Sequence, residues 1–249
     1  MRPVKNIANL LLRPFNYETV QLGNRQKTSP FWVQEQLVTK KNPVILDGGA
    51  NKGHTTARYL KSYPESVLHV FEPFAESFDA LKERFGGITS VKLNQTALSD
   101  VEGTVSLNSN QSSYTNSILK SDPQAGDTWG EGVLNTQSTV MVPTTTIAAY
   151  CQTNSISAID ILKLDIQGAE LKALQGARAL LERKAVGLIY MELILGPTYL
   201  GQPKFEDYLH FFSELDYVLL DMFNPFRKDF RLIQANVIFV PDPARATGK

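Results

Sequence analysis

The stretch Val44-Ile45-Leu46-Asp47-Gly48-Gly49-Ala50-Asn51-Lys52-Gly53-His54-Thr55-Thr56 decides how this chain folds. An apolar run ends in an acid, glycines follow closely, and a segment able to open a helix comes next. Strand, glycine turn and helix in that order build a ligand crevice at the carboxyl edge of an open α/β sheet. Glycine lets a backbone approach its ligand closely, and a helix start presents unpaired N–H groups and a positive dipole end. The stretch reads as a cofactor cradle.

Working outward, strand and helix patterns alternate. Val44–Asp47 is a buried strand, and Thr55 to Tyr63 is helical, ending before Pro64 because proline pushes its predecessor out of the helical region. Val67–Phe71 is a second strand with Glu72 at its end. The helix after it carries Phe74, Phe78, Leu81 and Phe85 and stops at Gly86-Gly87. Val91 to Leu98 reads as a third strand. Further on, Ile159–Asp165 is a strand, and Gly168 to Leu181 reads as one amphipathic helix with Leu171, Leu174, Ala177 and Leu181 on a stripe. Val186–Leu193 is a strand bearing Glu192, and Phe205, Tyr208, Leu209 and Phe212 mark another helix. Tyr217–Leu220 and Val237–Val240 have no helical pattern between them and are expected to pair antiparallel. The fold predicted is a doubly wound, Rossmann-like α/β sheet, mostly parallel, with a C-terminal antiparallel hairpin.

Two regions depart from this alternation. Residues 1–41 form an N-terminal helical extension before the main domain at 42–249, with a helix that starts at Pro30 behind Ser29. Within the domain, half-exposed strands at Thr104–Asn108 and Thr139–Pro143 bracket a polar stretch at about 108–138 that contains Tyr114, Asn116, Ser117 and Trp129. Its length and lack of apolar periodicity mark it as a loop insertion, either disordered or a functional loop such as a lid.

Composition narrows the function classes. The 249 residues are 43% hydrophobic and carry 25 basic against 25 acidic side chains, which excludes the broad basic footprint of a nucleic-acid binder. Cys151 is the single cysteine, so there is no disulfide framework or cysteine metal cluster, and a reducing, cytoplasmic setting fits. No run approaches the roughly 20 apolar residues of a transmembrane span. Met1–Arg13 places Arg2, Lys5 and Arg13 around Leu10-Leu11-Leu12, too short for a signal peptide but compatible with peripheral membrane contact.

The glycine spacing separates cofactor classes. Asp47-x-Gly49-x-Asn51-x-Gly53 is neither the dinucleotide G-x-G-x-x-G rule nor a phosphate-binding P-loop, and it suits a ligand with a small amino-acid tail. Glu72, at the end of the neighbouring strand, sits where an acid accepts hydrogen bonds from a ribose hydroxyl pair.

The segments Asp47-Gly48-Gly49-Ala50-Asn51-Lys52-Gly53, Phe71-Glu72-Pro73, Ala97-Leu98-Ser99-Asp100 and Lys163-Leu164-Asp165-Ile166-Gln167-Gly168-Ala169-Glu170, in this order, resemble the motif series of the FkbM-type S-adenosylmethionine-dependent methyltransferases. The resemblance runs from about Asn42 to Val240. It implies a class I methyltransferase fold, S-adenosyl-L-methionine as cofactor, and methyl transfer to a hydroxyl of a sugar, glycan or secondary metabolite. It also implies that Asp47, Gly48, Gly49, Ala50, Asn51 and Gly53 surround the methionine part, that Glu72 with Pro73 holds the ribose, that Ala97, Leu98 and Ser99 lie beside the adenine, and that Asp165 stands near the sulfonium. The chain departs from the family pattern at Gln167, where an acid is usual, and at His54, where a smaller or acidic residue is usual.

Methyl transfer to oxygen needs alignment and a base for the hydroxyl proton. Asp165, Glu192 and His54 are the candidates for that work. Glu170 reads as a helix-start acid, and His69 and His210 as packing or surface residues. Asp165, Glu170 and Glu192 could share a divalent cation through oxygen, but no histidine cluster supports a transition metal, and no metal is assigned. Tyr114, Trp129 and Tyr199 could stack on an acceptor ring. The alternatives are a cofactor-binding scaffold without turnover and a nicotinamide-dependent oxidoreductase.

Overall fold

β1 (Val44–Gly48) is an interior strand of a seven-stranded sheet, as its continuous apolar run requires. The computed structural model describes residues 29–244. The chain divides into two units, Met1–Leu37 and Val38–Lys249. In the first, the described helix is α1 (Pro30–Leu37). Proline suits its first position, because a helix leaves that N–H unpaired in any case. The expected amphipathic segment Met1–Arg13 lies outside the described residues.

In the second unit β1 pairs in parallel with β2 (Val67–Phe71) on one side and β7 (Ile161–Leu164) on the other. β3 (Val91–Asn94) extends the first side and β8 (Ile189–Ile194) the second, both parallel. The strand order is β3-β2-β1-β7-β8-β10-β9, where β9 is Tyr217–Lys228 and β10 is Arg231–Pro241. Growth of the sheet therefore reverses between β1 and β7, and a crevice opens at the carboxyl ends of these two strands. The helices between strands are α2 (His54–Ser62) and α3 (Ala75–Phe85) in the first half. In the second half they are α5 (Ile147–Thr153), α6 (Glu170–Gln175), α7 (Arg178–Glu182) and α8 (Phe205–Glu214). One core cluster joins Leu46, Leu162, Leu164, Ile189 and Met191 of the sheet to Ile147, Leu174, Leu181 and Phe212 of the helices.

Three expectations are corrected. The span Val91 to Leu98 is two strands in different sheets. β3 ends at Asn94, whose side chain donates to the carbonyls of Val70 and Lys92, and β4 (Ala97–Leu98) joins a second sheet. The span Gly168 to Leu181 is two helices. A Cβ on Gly176 would lie 2.2 Å from the Ser99 carbonyl, and the Gly176 carbonyl accepts from Ala148 N, so the helix breaks where the chain touches its neighbours. The closing strands are longer than Tyr217–Leu220 and Val237–Val240. β9 (Tyr217–Lys228) and β10 (Arg231–Pro241) form a hairpin about a two-residue turn with Asp229 and Phe230 at φ 47° and 64°.

The polar middle is also ordered. β5 (Gly103–Asn110) and β6 (Thr136–Thr145) pair antiparallel and, with β4, make the second sheet. Between them stand a 3₁₀ turn (Ser113–Thr115) and α4 (Ala125–Trp129). Side-chain bonds to backbone here add to two small apolar clusters, Leu107 with Ala97 and Val142, and Ala125 with Leu134 and Tyr199. Asn108 Nδ2 donates to the carbonyls of Ser117 and Leu119, and Asn110 Nδ2 to that of Thr115.

Candidate active site

The glycine turn after β1 is shaped by close approaches. Gly49 has φ 72°, and a Cβ there would sit 1.8 Å from the Asp165 carbonyl; Gly53 has φ 77°, with Phe85 2.3 Å from its would-be Cβ. Both positions exclude any other residue on sterics and backbone angle together. Asn51 takes the left-handed region with a side chain, at φ 48°. Its N–H donates to Glu72 Oε2 at 2.8 Å and its Nδ2 to the Ser113 carbonyl at 3.0 Å, which ties the turn to β2 and to the polar insertion. Glu72 Oε1 accepts from Phe74 N at 2.9 Å. Burial raises the Glu72 carboxyl above its ordinary range, against the lowering effect of these two backbone donors.

Underneath lies a buried ion pair. Lys163, inside β7, places Nζ 3.0 Å from Asp47 Oδ1 in an ion pair and donates to the Gly48 carbonyl at 3.0 Å and to that of Gly49 at 2.9 Å. Asp47 Oδ2 accepts from Thr56 Oγ1 at 2.7 Å. Burial pulls the Lys163 ammonium down, but the carboxylates of Asp47 and Asp165 outweigh it and the net direction is upward. Lys163 has no role legible in the sequence beyond its place in a motif. Its signal is a charge within the apolar run Ile161-Leu162-Lys163-Leu164.

Around this cradle is a cavity whose walls bring together residues far apart in the chain. Gly49, Asn51, Glu72, Pro73, Ala97, Leu98 and Asp165 line it, joined by Ser113, Tyr114 and Asn116 from the insertion and by Gln167. Of the residues singled out for the cofactor, Asp47, Gly48, Ala50, Gly53 and Ser99 stand behind the wall and do not line it. Asp47 is fully buried, and Ser99 Oγ donates to Asp100 Oδ1. Asn51 Oδ1 and Asn116 Nδ2 are buried without a hydrogen-bond partner, an acceptor and a donor on residues of one cavity.

A second cavity of 190 Å³ shares Tyr114 and Gln167 with the first and is otherwise lined by Thr115, Trp129, Leu134, Glu192, Ile194, Thr198 and Gln234. The two cavities are linked by one amide. Gln167 Nε2 donates to Asp165 Oδ1 at 2.9 Å and to Glu192 Oε2 at 2.7 Å, while its Oε1 accepts from Tyr199 Oη at 2.8 Å. Gln167 reaches this position from a left-handed backbone, φ 55°. Gln234 Nε2 donates to Glu192 Oε1. Burial, then the nearby carboxylates of Asp165 and Glu170, holds the Glu192 carboxyl well above the usual range. Glu170 is buried at the start of α6 and accepts from Ile166 N at 2.8 Å; burial pushes its carboxyl up to about 7.

The structure thus brings Asp165 and Glu192 together through Gln167 and leaves His54 apart, exposed at the start of α2 and lining neither cavity. His69 is buried against Tyr150, with Nδ1 2.8 Å from Tyr150 Oη, and His210 lies on the surface of α8 beside Glu214. Among the aromatics, Tyr114 is exposed and reaches both cavities, Trp129 stacks on Phe226, and Tyr199 is buried as a packing residue. The link through Gln167 and the part of Gln234 were not visible in the sequence, because neither glutamine belongs to a pattern that marks its partners. Among the described residues no group of three or more His, Cys, Asp or Glu side chains is arranged to hold a metal ion. Among the same residues no helix is long and apolar enough to cross a membrane.

The sequence and the fold have known relatives. The chain is 27% identical over 191 residues to the 2-O-methyltransferase NoeI of Sinorhizobium fredii, covering 72% of this chain and 76% of that protein. It is 25% identical over 156 residues to the methyltransferase sdnD of Sordaria araneosa, covering 54% of this chain and 60% of that one. The crystal structure of methyltransferase FkbM from Methylobacillus flagellatus superposes with a TM-score of 0.50 at 16% identity, over 86% of this chain and 47% of that longer protein, a likeness of fold. The methyltransferase FkbM domain matches residues 47–219, a span that takes in the cradle, both cavities' acids and the insertion. Neither an oxidoreductase nor a scaffold is favoured by these relatives. The chain belongs to the FkbM methyltransferase family.

Proposed function

We propose that this protein is an S-adenosylmethionine-dependent O-methyltransferase acting on a hydroxyl of a sugar, glycan or secondary metabolite. The observation that carries the cofactor reading is the pair of open hydrogen-bonding needs on one cavity, the Asn51 Oδ1 acceptor and the Asn116 Nδ2 donor. A zwitterionic amino-acid tail carries both complements, an ammonium and a carboxylate, whereas a phosphate carries acceptors only and leaves Asn51 Oδ1 unmet. Glu72, on the same wall, keeps lone pairs for a ribose diol beyond those taken by Asn51 N and Phe74 N. Membership of the family and the likeness to a 2-O-methyltransferase support oxygen as the acceptor atom.

S-adenosylmethionine would supply an activated methyl group, with a C–O bond formed as the S–C bond breaks to leave a neutral thioether. The protein's own task is then alignment and proton removal. Asp165 lines the cofactor cavity with Oδ1 held by Gln167, so it orients the acceptor hydroxyl and receives its proton. Glu192, on the far side of the same amide, fixes Gln167 and holds the rest of the acceptor. His54 has no part in this reading.

Calorimetry with S-adenosylhomocysteine tests it. Submillimolar binding by the intact protein, lost in Glu72→Ala, is expected; no binding by the wild type would overturn the cofactor reading.

A further inference from the structure

We propose that the 190 Å³ second cavity is the acceptor seat and that it selects a neutral, hydroxyl-rich ring of the pyranose type, rejecting anionic acceptors. This rests on the methyltransferase reading above and narrows its substrate class.

Position comes first. The cavity shares Gln167 and Tyr114 with the cofactor cavity, so a ring seated in it borders the cavity that Asp165 lines. The chemistry of the walls comes next. Glu192 carries one amide donor on each oxygen, from Gln167 and Gln234, and each oxygen keeps a further lone pair. Both protons of Gln167 Nε2 are already given, to Asp165 and Glu192. Thr198 is also committed, donating to the Gly196 carbonyl and accepting from Trp129 Nε1. What these side chains still offer is acceptor capacity, and its complement is a ligand rich in donors, as a polyol is.

Charge removes one class of donor-bearing ligand. No lysine or arginine is among the described residues lining the cavity, and the nearby acids are Glu192, Asp165 and Glu170. Lys163, a cation whose charge acts on Glu192, is ion-paired with Asp47 and donates to the cradle carbonyls. A carboxylate or phosphate on the ring would be buried in this cavity with no counter-charge, at a cost that grows with burial.

The remaining wall supplies an apolar surface. Trp129 is held in place by its stack on Phe226, centroids 5.3 Å apart, and by the 2.8 Å bond from Nε1 to Thr198. A rigid indole suits the C–H face of a sugar, which needs a flat apolar surface beside its hydroxyl contacts. Ring and hydroxyl contacts thus have separate walls.

The test uses Trp129 as its own reporter, in a Trp32→Phe background so that it is the single tryptophan. The full chain, saturated with S-adenosylhomocysteine, is titrated with methyl α-D-glucopyranoside, methyl α-D-mannopyranoside and methyl α-L-fucopyranoside, and separately with the methyl glycosides of glucuronic acid and glucosamine. At least one neutral glycoside is expected to change Trp129 emission saturably, with the uronide at least about tenfold weaker. Gln234→Leu, or Gln234→Asn should the first variant not fold, is expected to weaken that binding about tenfold while S-adenosylhomocysteine affinity stays unchanged. No response to any neutral glycoside, equal binding of the uronide, or binding confined to the amino sugar would overturn the inference. Failure of S-adenosylhomocysteine itself to bind would instead overturn the cofactor reading, so the two failures are distinct.

Discussion

Replacing Lys163 by methionine would test whether the buried pair beneath the cradle holds the site together. The substitution keeps side-chain volume and removes the charge that meets Asp47 Oδ1 and the Gly48 and Gly49 carbonyls at 2.9 to 3.0 Å. Asp47 has no exposed surface, so its carboxylate is left with Thr56 Oγ1 alone. Breaking a buried pair from one side costs about 3–5 kcal/mol, because the surviving charge keeps its desolvation penalty. The Gly48 carbonyl retains Asp165 N at 3.1 Å, which moderates the added loss there. About 4 kcal/mol is therefore expected, a large share of the 5–15 kcal/mol typical of a domain. The double variant Asp47→Leu/Lys163→Met removes both charges and should cost at least about 2 kcal/mol less than the two singles added. Urea denaturation at neutral pH reads these values, and calorimetry with S-adenosylhomocysteine reads the cradle, where binding should weaken at least tenfold. A Lys163→Met cost below about 1 kcal/mol, or strict additivity in the double variant, would refute the reasoning. The sign of the pH effect follows from the raised ammonium. Its stabilisation is complete below the unfolded lysine value of about 10.4 and is lost as pH rises through the higher folded value, so the stability gap between wild type and Lys163→Met should narrow in strong alkali.

Three further outcomes are expected. Glu170, raised to about 7, favours the fold fully below its ordinary value of 4.5 and loses that contribution as pH rises through about 7. Over that window it accounts for about 3 kcal/mol. Glu170→Gln keeps an acceptor for Ile166 N and should flatten this part of the stability curve; an unchanged slope in urea midpoints from pH 4.5 to 8 would count against it. Gln167→Glu places a third carboxyl 2.7 to 2.9 Å from Glu192 and Asp165, so methyl transfer should fall at least about tenfold at neutral pH and recover partly in acid, where the new group can again donate. A pH–rate profile matching wild type would show that the amide link is idle. Gly49→Ala puts a methyl 1.8 Å from the Asp165 carbonyl at φ 72° and should cost about 3 kcal/mol and most cofactor affinity; a thermal midpoint within a degree or so of wild type would contradict the close approach.

What the sequence determined by itself is the part of this protein that local rules write. An apolar run, an acid and spaced glycines specify β1 and its turn, since only glycine accepts the backbone angles and approaches at positions 49 and 53. The alternation of strand and helix patterns specified the parallel order, and from it the crevice between β1 and β7 that Glu72 and Asp165 help to line. Tertiary structure alone decided which residues stand on the wall and which behind it. Asp47 belongs to the cradle motif yet serves Lys163 from 116 positions away, because burying either charge requires the other. Gln167 joins two acids through its amide, Gln234 supports Glu192 across paired strands, and Gly176 breaks a periodic helix against the Ser99 carbonyl. Periodicity reports which face of one element is apolar, whereas hydrogen-bond satisfaction in a buried site depends on which elements meet there. Asn116 shows the difference most plainly, a polar residue in a polar stretch until β5 and β6 fold it onto the cavity beside the glycine turn.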